Sequence, residues 1–169
     1  MQKAIAAYRK QHDDDPREVF VHGRARFSDV EWAGFEAAVP AATKLVGVRI
    51  KRNNLRKLYR DDKFTSLRGL ARPFNERSGL LWTLGFVPRL QTYQGREVPN
   101  PLLIDICRGE ANLRTVMEDV LALTKVNFNA CLYADGMPVT LRFADRVGRV
   151  LTAIPPELDP PPLPFRHYI

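Results

Sequence analysis

Asp145 is the one carboxylate in a stretch otherwise charged by arginine, Thr140 to Arg149. Read as a helix, Leu141, Ala144, Val147, Val150 and Leu151 make an apolar stripe, while Arg142, Asp145, Arg146 and Arg149 recur at i, i+3, i+4, i+7 on the other side. Guanidinium forks match phosphate oxygens in pairs, so this face suits a nucleic-acid backbone. A carboxylate among them either pairs an arginine or holds a metal ion beside that backbone. The same spacing also fits a surface Asp making i,i+4 pairs. Lys125, Asn127 and Asn129 would share one face if extended and offer donors to phosphate or sugar, or Asn127 would cap a helix. His22 is the one histidine expected inside a regular element. With no nucleophile motif and no second histidine at useful spacing, its ordinary role is that of a satisfied strand-end side chain. His12 beside Asp13, Asp14 and Asp15 reads as a turn before Pro16, because consecutive aspartates cannot all converge on one ion.

The setting of these residues is strongly basic. Arginine supplies 19 of 26 cations against 19 acidic residues, a net charge of +7, which makes nucleic acid the leading partner. The densest block runs from Lys44 to Arg72, with only Asp61 and Asp62 opposing it, and Arg24 and Arg26 form a smaller cluster past a strand end, where α/β ligands commonly sit. The block could track a phosphate backbone or be a solvated hairpin. No run approaches the roughly 18 apolar residues of a membrane span, and the N-terminus lacks a signal-peptide core, so a cytoplasmic location is expected. Cys107 and Cys131 have no CxxC spacing and read as buried thiols. No Walker, GxGxxG or zinc pattern is present.

The elements that must position these groups read as α/β. A helix end over residues 2–11 leads through a linker to a strand at 18–22. Ser28 and Glu31 then form a capping box for a helix whose apolar side is Val30, Phe35, Ala38 and Val39 and which ends before Pro40. Strands are expected at 44–50, 56–60, 80–86 and 101–107. Leu113, Val116, Met117, Val120, Leu121 and Leu123 predict a helix closing near Thr124, the Asp145 helix follows, and a Pro-rich tail occupies 155–169. At 169 residues, one domain is the default.

Five segments, VFVHGRARF at 19–27, LWTLGFVPR at 81–89, VPNPLLID at 98–105, DVLALTKVNFN at 119–129 and PVTLRFAD at 138–145, together resemble in content and order the carboxyl-terminal half of a prokaryotic Argonaute PIWI domain. The resemblance implies an RNase H-like mixed sheet with flanking helices, spanning 17–154 and followed by the tail. It also implies that the chain is a partial PIWI domain. In cleaving members, acidic residues hold two divalent metals. Asp145 matches the last of these positions and His22 stands at another, where neutral imidazole serves hard cations poorly. The resemblance therefore implies a cleavage-inactive type, with Arg24, Arg26, Lys125, Asn127, Asn129, Arg142, Arg146 and Arg149 on the strands' backbones. Asp145 is left to orient Arg142 or Arg149. It further implies that the Ile169 carboxylate helps magnesium bind the guide's 5′ phosphate. The rest of PIWI and the MID domain would lie upstream or on a separate polypeptide, and a partner effector would act in host defence. Two alternatives stand beside this: a metal-dependent, guide-directed nuclease half-domain using Asp145 with His22 or Asp105, and a stand-alone basic nucleic-acid-binding domain.

Overall fold

The structure is a computed structural model that describes residues 1–61, 64–93, 97–126 and 135–153. The elements in chain order are α1 (Gln2–His12), β1 (Glu18–Gly23), α2 (Asp29–Glu36), β2 (Lys44–Arg52), β3 (Ala71–Pro73), β4 (Ser78–Leu81), β5 (Leu102–Arg108), α3 (Leu113–Val126) and α4 (Val139–Ala153). The chain divides into two compact units, 1–118 and 119–169, the division falling inside α3. The fold is α/β, with a mixed sheet and flanking helices.

The first unit is built on a five-stranded sheet in the order β1-β2-β5-β4-β3. β1 and β2 are parallel and joined through α2, and the remaining pairings are antiparallel. Because strand side chains alternate, the register sorts them onto two faces. Val46, Val48 and Ile50 of β2 lie in rows with Leu102, Ile104 and Ile106 of β5, and these six residues are at most 2% exposed. α3 packs against this dry face. Met117 comes so close to Gly79 that a Cβ there would sit 2.6 Å from its Cε. The other face takes α2 at Gly47, where a Cβ would lie 2.9 Å from the Trp32 ring. Phe27, Trp32 and Phe35 form an aromatic cluster with centroids 5.7 to 6.2 Å apart.

Local signals explain the element ends. The capping box is formed: the Glu31 N–H donates to Ser28 Oγ at 3.2 Å, and Glu31 Oε2 accepts from the Ser28 N–H at 2.8 Å. These bonds hold the Glu31 carboxyl below its usual range. The aspartate run is a turn as expected, with Asp13 in the left-handed conformation closing α1 and Asp15 paired to Arg9. Arg108 at the end of β5 donates to the Phe27 carbonyl at 3.0 Å and to the Asp29 carboxylate, tying the sheet to the start of α2.

Several sequence expectations are corrected. Val30 is 85% exposed, and the side of α2 that packs is Trp32 with Phe35. Residues 56–60 form no strand; they run as an irregular, exposed segment with no ladder partner. The strand expected at 80–86 is Ser78–Leu81, and it stops short of Gly85, whose φ of +147° is incompatible with a continuing strand. Its partner β3 was not anticipated. The β3–β4 turn is held by Asn75, whose Oδ1 accepts from the backbone N–H groups of Arg77 and Ser78 at 2.9 and 2.8 Å. α3 continues to Val126. The Pro-rich tail and Cys131 lie outside the described residues.

Replacing Gly79 by alanine should expose how tightly this hairpin is packed, since the added carbon would also meet the Arg72 carbonyl oxygen at 2.7 Å. We expect Gly79→Ala to cost about 2–3 kcal/mol, seen as a lower urea midpoint at unchanged m-value. A midpoint within error of wild type would show that the β3 backbone yields freely.

Candidate nucleic-acid interface

The electrostatic centre of the first unit is Asp105. It sits on β5 directly across from Arg49 of β2, on the face opposite the Val48–Ile106 row. Its Oδ2 accepts from Arg49 Nη2 at 3.0 Å and from Arg26 Nη2 at 3.3 Å. The Asp105 side chain is 11% exposed and that of Arg49 25%, whereas Arg26 is 69% exposed. One shielded carboxylate thus fixes an inner guanidinium and holds an outer one at the surface. Arg26 and Asp105 also border a cavity of about 620 Å³ whose other walls include Asn75, Arg77 and Ser78. Arg77 is itself anchored, donating through Nε to the Ile106 carbonyl at 3.0 Å and through Nη2 to the Gly109 carbonyl at 3.0 Å.

His22 has a different environment. Its register partner is Val48, so it projects on the dry face of the sheet, and burial lowers its pKa below the usual 6.5. His22 and Asp105 consequently lie on opposite faces and cannot converge on one ion. Arg24 lies exposed in the β1–α2 connection with Arg26. The basic block from Lys44 onward is less uniform than its sequence suggests: Lys44 pairs with Glu18 at 2.8 Å, Arg49 with Asp105, and the Arg56 guanidinium lies 5.0 Å from the centre of the Phe74 ring.

In the second unit, α4 begins after Asp135, which organises the helix entry. Asp135 Oδ1 accepts from the Met137 N–H at 3.1 Å, and Oδ2 pairs with Arg142 Nη1 at 2.5 Å. Asp145 was expected to orient Arg142 or Arg149; Asp135 is a further carboxylate, passed over in the sequence, that holds Arg142. The apolar stripe is also corrected. Leu141 is buried, but Ala144 and Leu151 are exposed, while Asp145 and Arg146 are half-buried. Arg149 and Lys125 are exposed. Asn127, Asn129 and Ile169 lie outside the described residues.

Sequence reasoning passed over the Arg49–Asp105 pair and Asp135. The signal for the first was present: VGVRI and LLIDIC each carry one charge, of opposite sign, inside an otherwise apolar strand. Only the strand pairing makes them neighbours. Among the described residues, no group of three His, Cys, Asp or Glu is placed to share a metal ion, and no helix is long and apolar enough to cross a membrane.

Against solved structures, the chain is similar to parts of prokaryotic Argonautes. Clostridium butyricum Argonaute bound to a guide DNA and a 19-mer target DNA matches with a TM-score of 0.66 and 19% identity, over 92% of this chain and 20% of that one. Aa-Ago with externally bound siRNA matches at 0.61 and 20%, over 95% and 22%. Marinitoga piezophila Argonaute in complex with a 5′ OH guide RNA matches at 0.63 and 18%, over 86% and 21%. The chain therefore spans about a fifth of the length of these Argonautes. At these identities the likeness establishes the fold, and at that level it bears out the resemblance read from the sequence. No protein-family model and no curated protein matches the sequence.

Removing Asp105 leaves Arg49 largely shielded without a counter-charge, so Asp105→Ala should cost about 3 kcal/mol, while Arg26→Ala, at an exposed pair, should cost less than about 1 kcal/mol. Urea denaturation measures both; equal costs would contradict the inner and outer roles given to the two arginines. His22 supplies a pH test. With its folded pKa depressed, the unfolded chain takes up a proton near pH 6.5 that the folded chain resists, so stability is complete above that pH and falls as pH drops toward the folded value. The loss should approach at most about 1.4 kcal/mol per pH unit and be absent in His22→Gln. An identical profile in the variant would assign the effect elsewhere.

Proposed function

We propose that this chain is a nucleic-acid-binding PIWI segment of an Argonaute-like protein, holding a guide strand and its paired target without cleaving them. The observation that carries this reading is the Arg26–Asp105–Arg49 arrangement: a surface guanidinium held in place by a shielded carboxylate, on a fold shared with Argonautes solved with guide and target strands. Such an arginine meets a phosphate with little rotamer freedom left to lose. Arg24 in the first unit, and Lys125, Arg146 and Arg149 in the second, offer further phosphate donors, and Arg142, tethered by Asp135, is positioned in the same way as Arg26. The protein then reads backbone, and base pairing between the strands supplies sequence choice.

Absence of cleavage belongs to the same reading. Two divalent ions need converging oxygen ligands. Asp105 is occupied by two guanidiniums, and His22 contributes an imidazole on the opposite face that burial keeps from protonating. Asp145 is left to balance the charge of α4. A magnesium ion at the guide's 5′ phosphate and a partner effector acting in host defence complete the proposal by resemblance.

Binding can be followed by fluorescence anisotropy with 5′-phosphorylated DNA and RNA strands, single and paired. Affinity should fall steeply with salt, and Arg26→Glu, Arg146→Glu and Arg149→Glu should each weaken it several-fold for any sequence, by about 1 kcal/mol per lost phosphate contact. Strands incubated with magnesium or manganese should stay intact. Metal-dependent cutting that disappears in Asp145→Ala would restore the nuclease reading, and binding indifferent to 5′ phosphate and to pairing would favour a stand-alone basic domain.

A further inference from the structure

A second region of the first unit has features that the phosphate-holding arginines leave unused. Between the segment after β2 and the β3–β4 hairpin lies a pocket of about 470 Å³, walled by Leu58, Leu70, Leu80 and Trp82 and lined also by Arg56, Lys57 and Arg72. Among the described residues, no acidic side chain lines it. The Arg56 guanidinium over the Phe74 ring fastens the segment to the hairpin. Nearby, Leu55 is 95% and Tyr59 73% exposed, so apolar and aromatic surface alternates with cations from Leu55 to Arg60. Trp82 is 5% exposed, and its indole N–H is buried with no hydrogen-bond partner among the described residues.

The geometry points to a subsite for one unstacked nucleobase, with the adjoining phosphate on Arg56, Lys57 and Arg72. This rests on the nucleic-acid reading above and gives it a second, base-contacting element. The apolar walls fit a flat ring, and the volume lies within the range of sites that hold small ligands. The three cations require an anion tied to that ring, which a nucleotide's own phosphate provides. Three cations around one apolar pocket suit a phosphodiester carrying a base better than a single acidic side chain. A base held in a duplex stack could not enter, so the site selects single-stranded or frayed positions.

The full chain would be titrated with two labelled probes of equal length and charge, an ordinary single-stranded oligonucleotide and an all-abasic phosphodiester strand. The base-bearing strand should bind about tenfold more tightly. Leu55→Asp and Leu58→Asp, at surface-accessible positions, should abolish that preference without changing binding of a control duplex. Equal affinity for the two strands, or a preference that survives both leucine variants, overturns the subsite while leaving phosphate binding intact. Failure of both strands to bind at low salt overturns the nucleic-acid reading and the subsite with it. Binding of an acidic, leucine-bearing peptide that is lost in Leu58→Asp, while the two strands bind equally, would make the pocket a protein-docking site and overturn the inference.

Discussion

The pairing of β2 with β5 is the constraint on which the first unit depends. Setting Val48 opposite Ile106 sets Arg49 opposite Asp105, because side chains alternate along each strand. At the β2–β5 pairing one face then packs the aliphatic side chains of Val48, Ile50, Ile104 and Ile106, and the other carries the Arg49–Asp105 ion pair. A slip of either strand by one residue would drive its charge into the dry layer and leave the partner charge behind on the other face, and the desolvation penalty for that is several kcal/mol per ion. The ion pair therefore specifies register as well as position. A shift in the pairing between Gly47 and Val48 lets Arg108 fall opposite Gly47, and from there it reaches the Phe27 carbonyl and Asp29. Sheet register, helix placement and the Arg26 connection are consequences of one alignment.

Arginine serves this arrangement in a way lysine would not. Asp105 accepts from two guanidiniums through one oxygen, and each planar fork keeps donors directed elsewhere. Arg49 is mostly shielded and acts as a fixed counter-charge. Arg26, sharing the same carboxylate, is oriented yet exposed. The trio carries a net positive charge, so fixing Arg26 does not neutralise the surface that a phosphate would meet. Asp135 repeats the device on a smaller scale: one oxygen holds the turn into α4 and the other holds Arg142.

What the sequence disclosed follows the range of each signal. The capping box at Ser28, the turn at Asp13 and the apolar runs of β2 and β5 depend on neighbours a few residues apart and were readable directly. The face of α2 was misread because Val30 satisfies helical spacing, but Gly47 opens a place on the sheet for the larger Trp32 ring. The β3–β4 hairpin was missed because β3 is short and contains Arg72 and Pro73, features of an edge strand that carry little hydrophobic pattern. Arg24 and Arg26 were identified from charge and position. The residues that organise them, Asp105 and Arg49, are separated by 56 positions in sequence and become partners only through strand pairing.

The two faces also separate chemical roles that would have to converge in a metal-dependent site. A sheet presents a histidine and a carboxylate to one ion only when their strands place them on the same side, and here the Val48 row carries His22 while the Arg49 row carries Asp105. On the non-cleaving reading, positive charge beside the phosphates comes from guanidiniums, which need no coordination shell of converging oxygens. The same exchange limits chemistry. A guanidinium can neutralise and orient a phosphodiester, but it stays protonated and does not generate a hydroxide nucleophile as a metal-bound water can. On that reading, a surface organised around Arg26 and Asp105 is suited to retaining a strand.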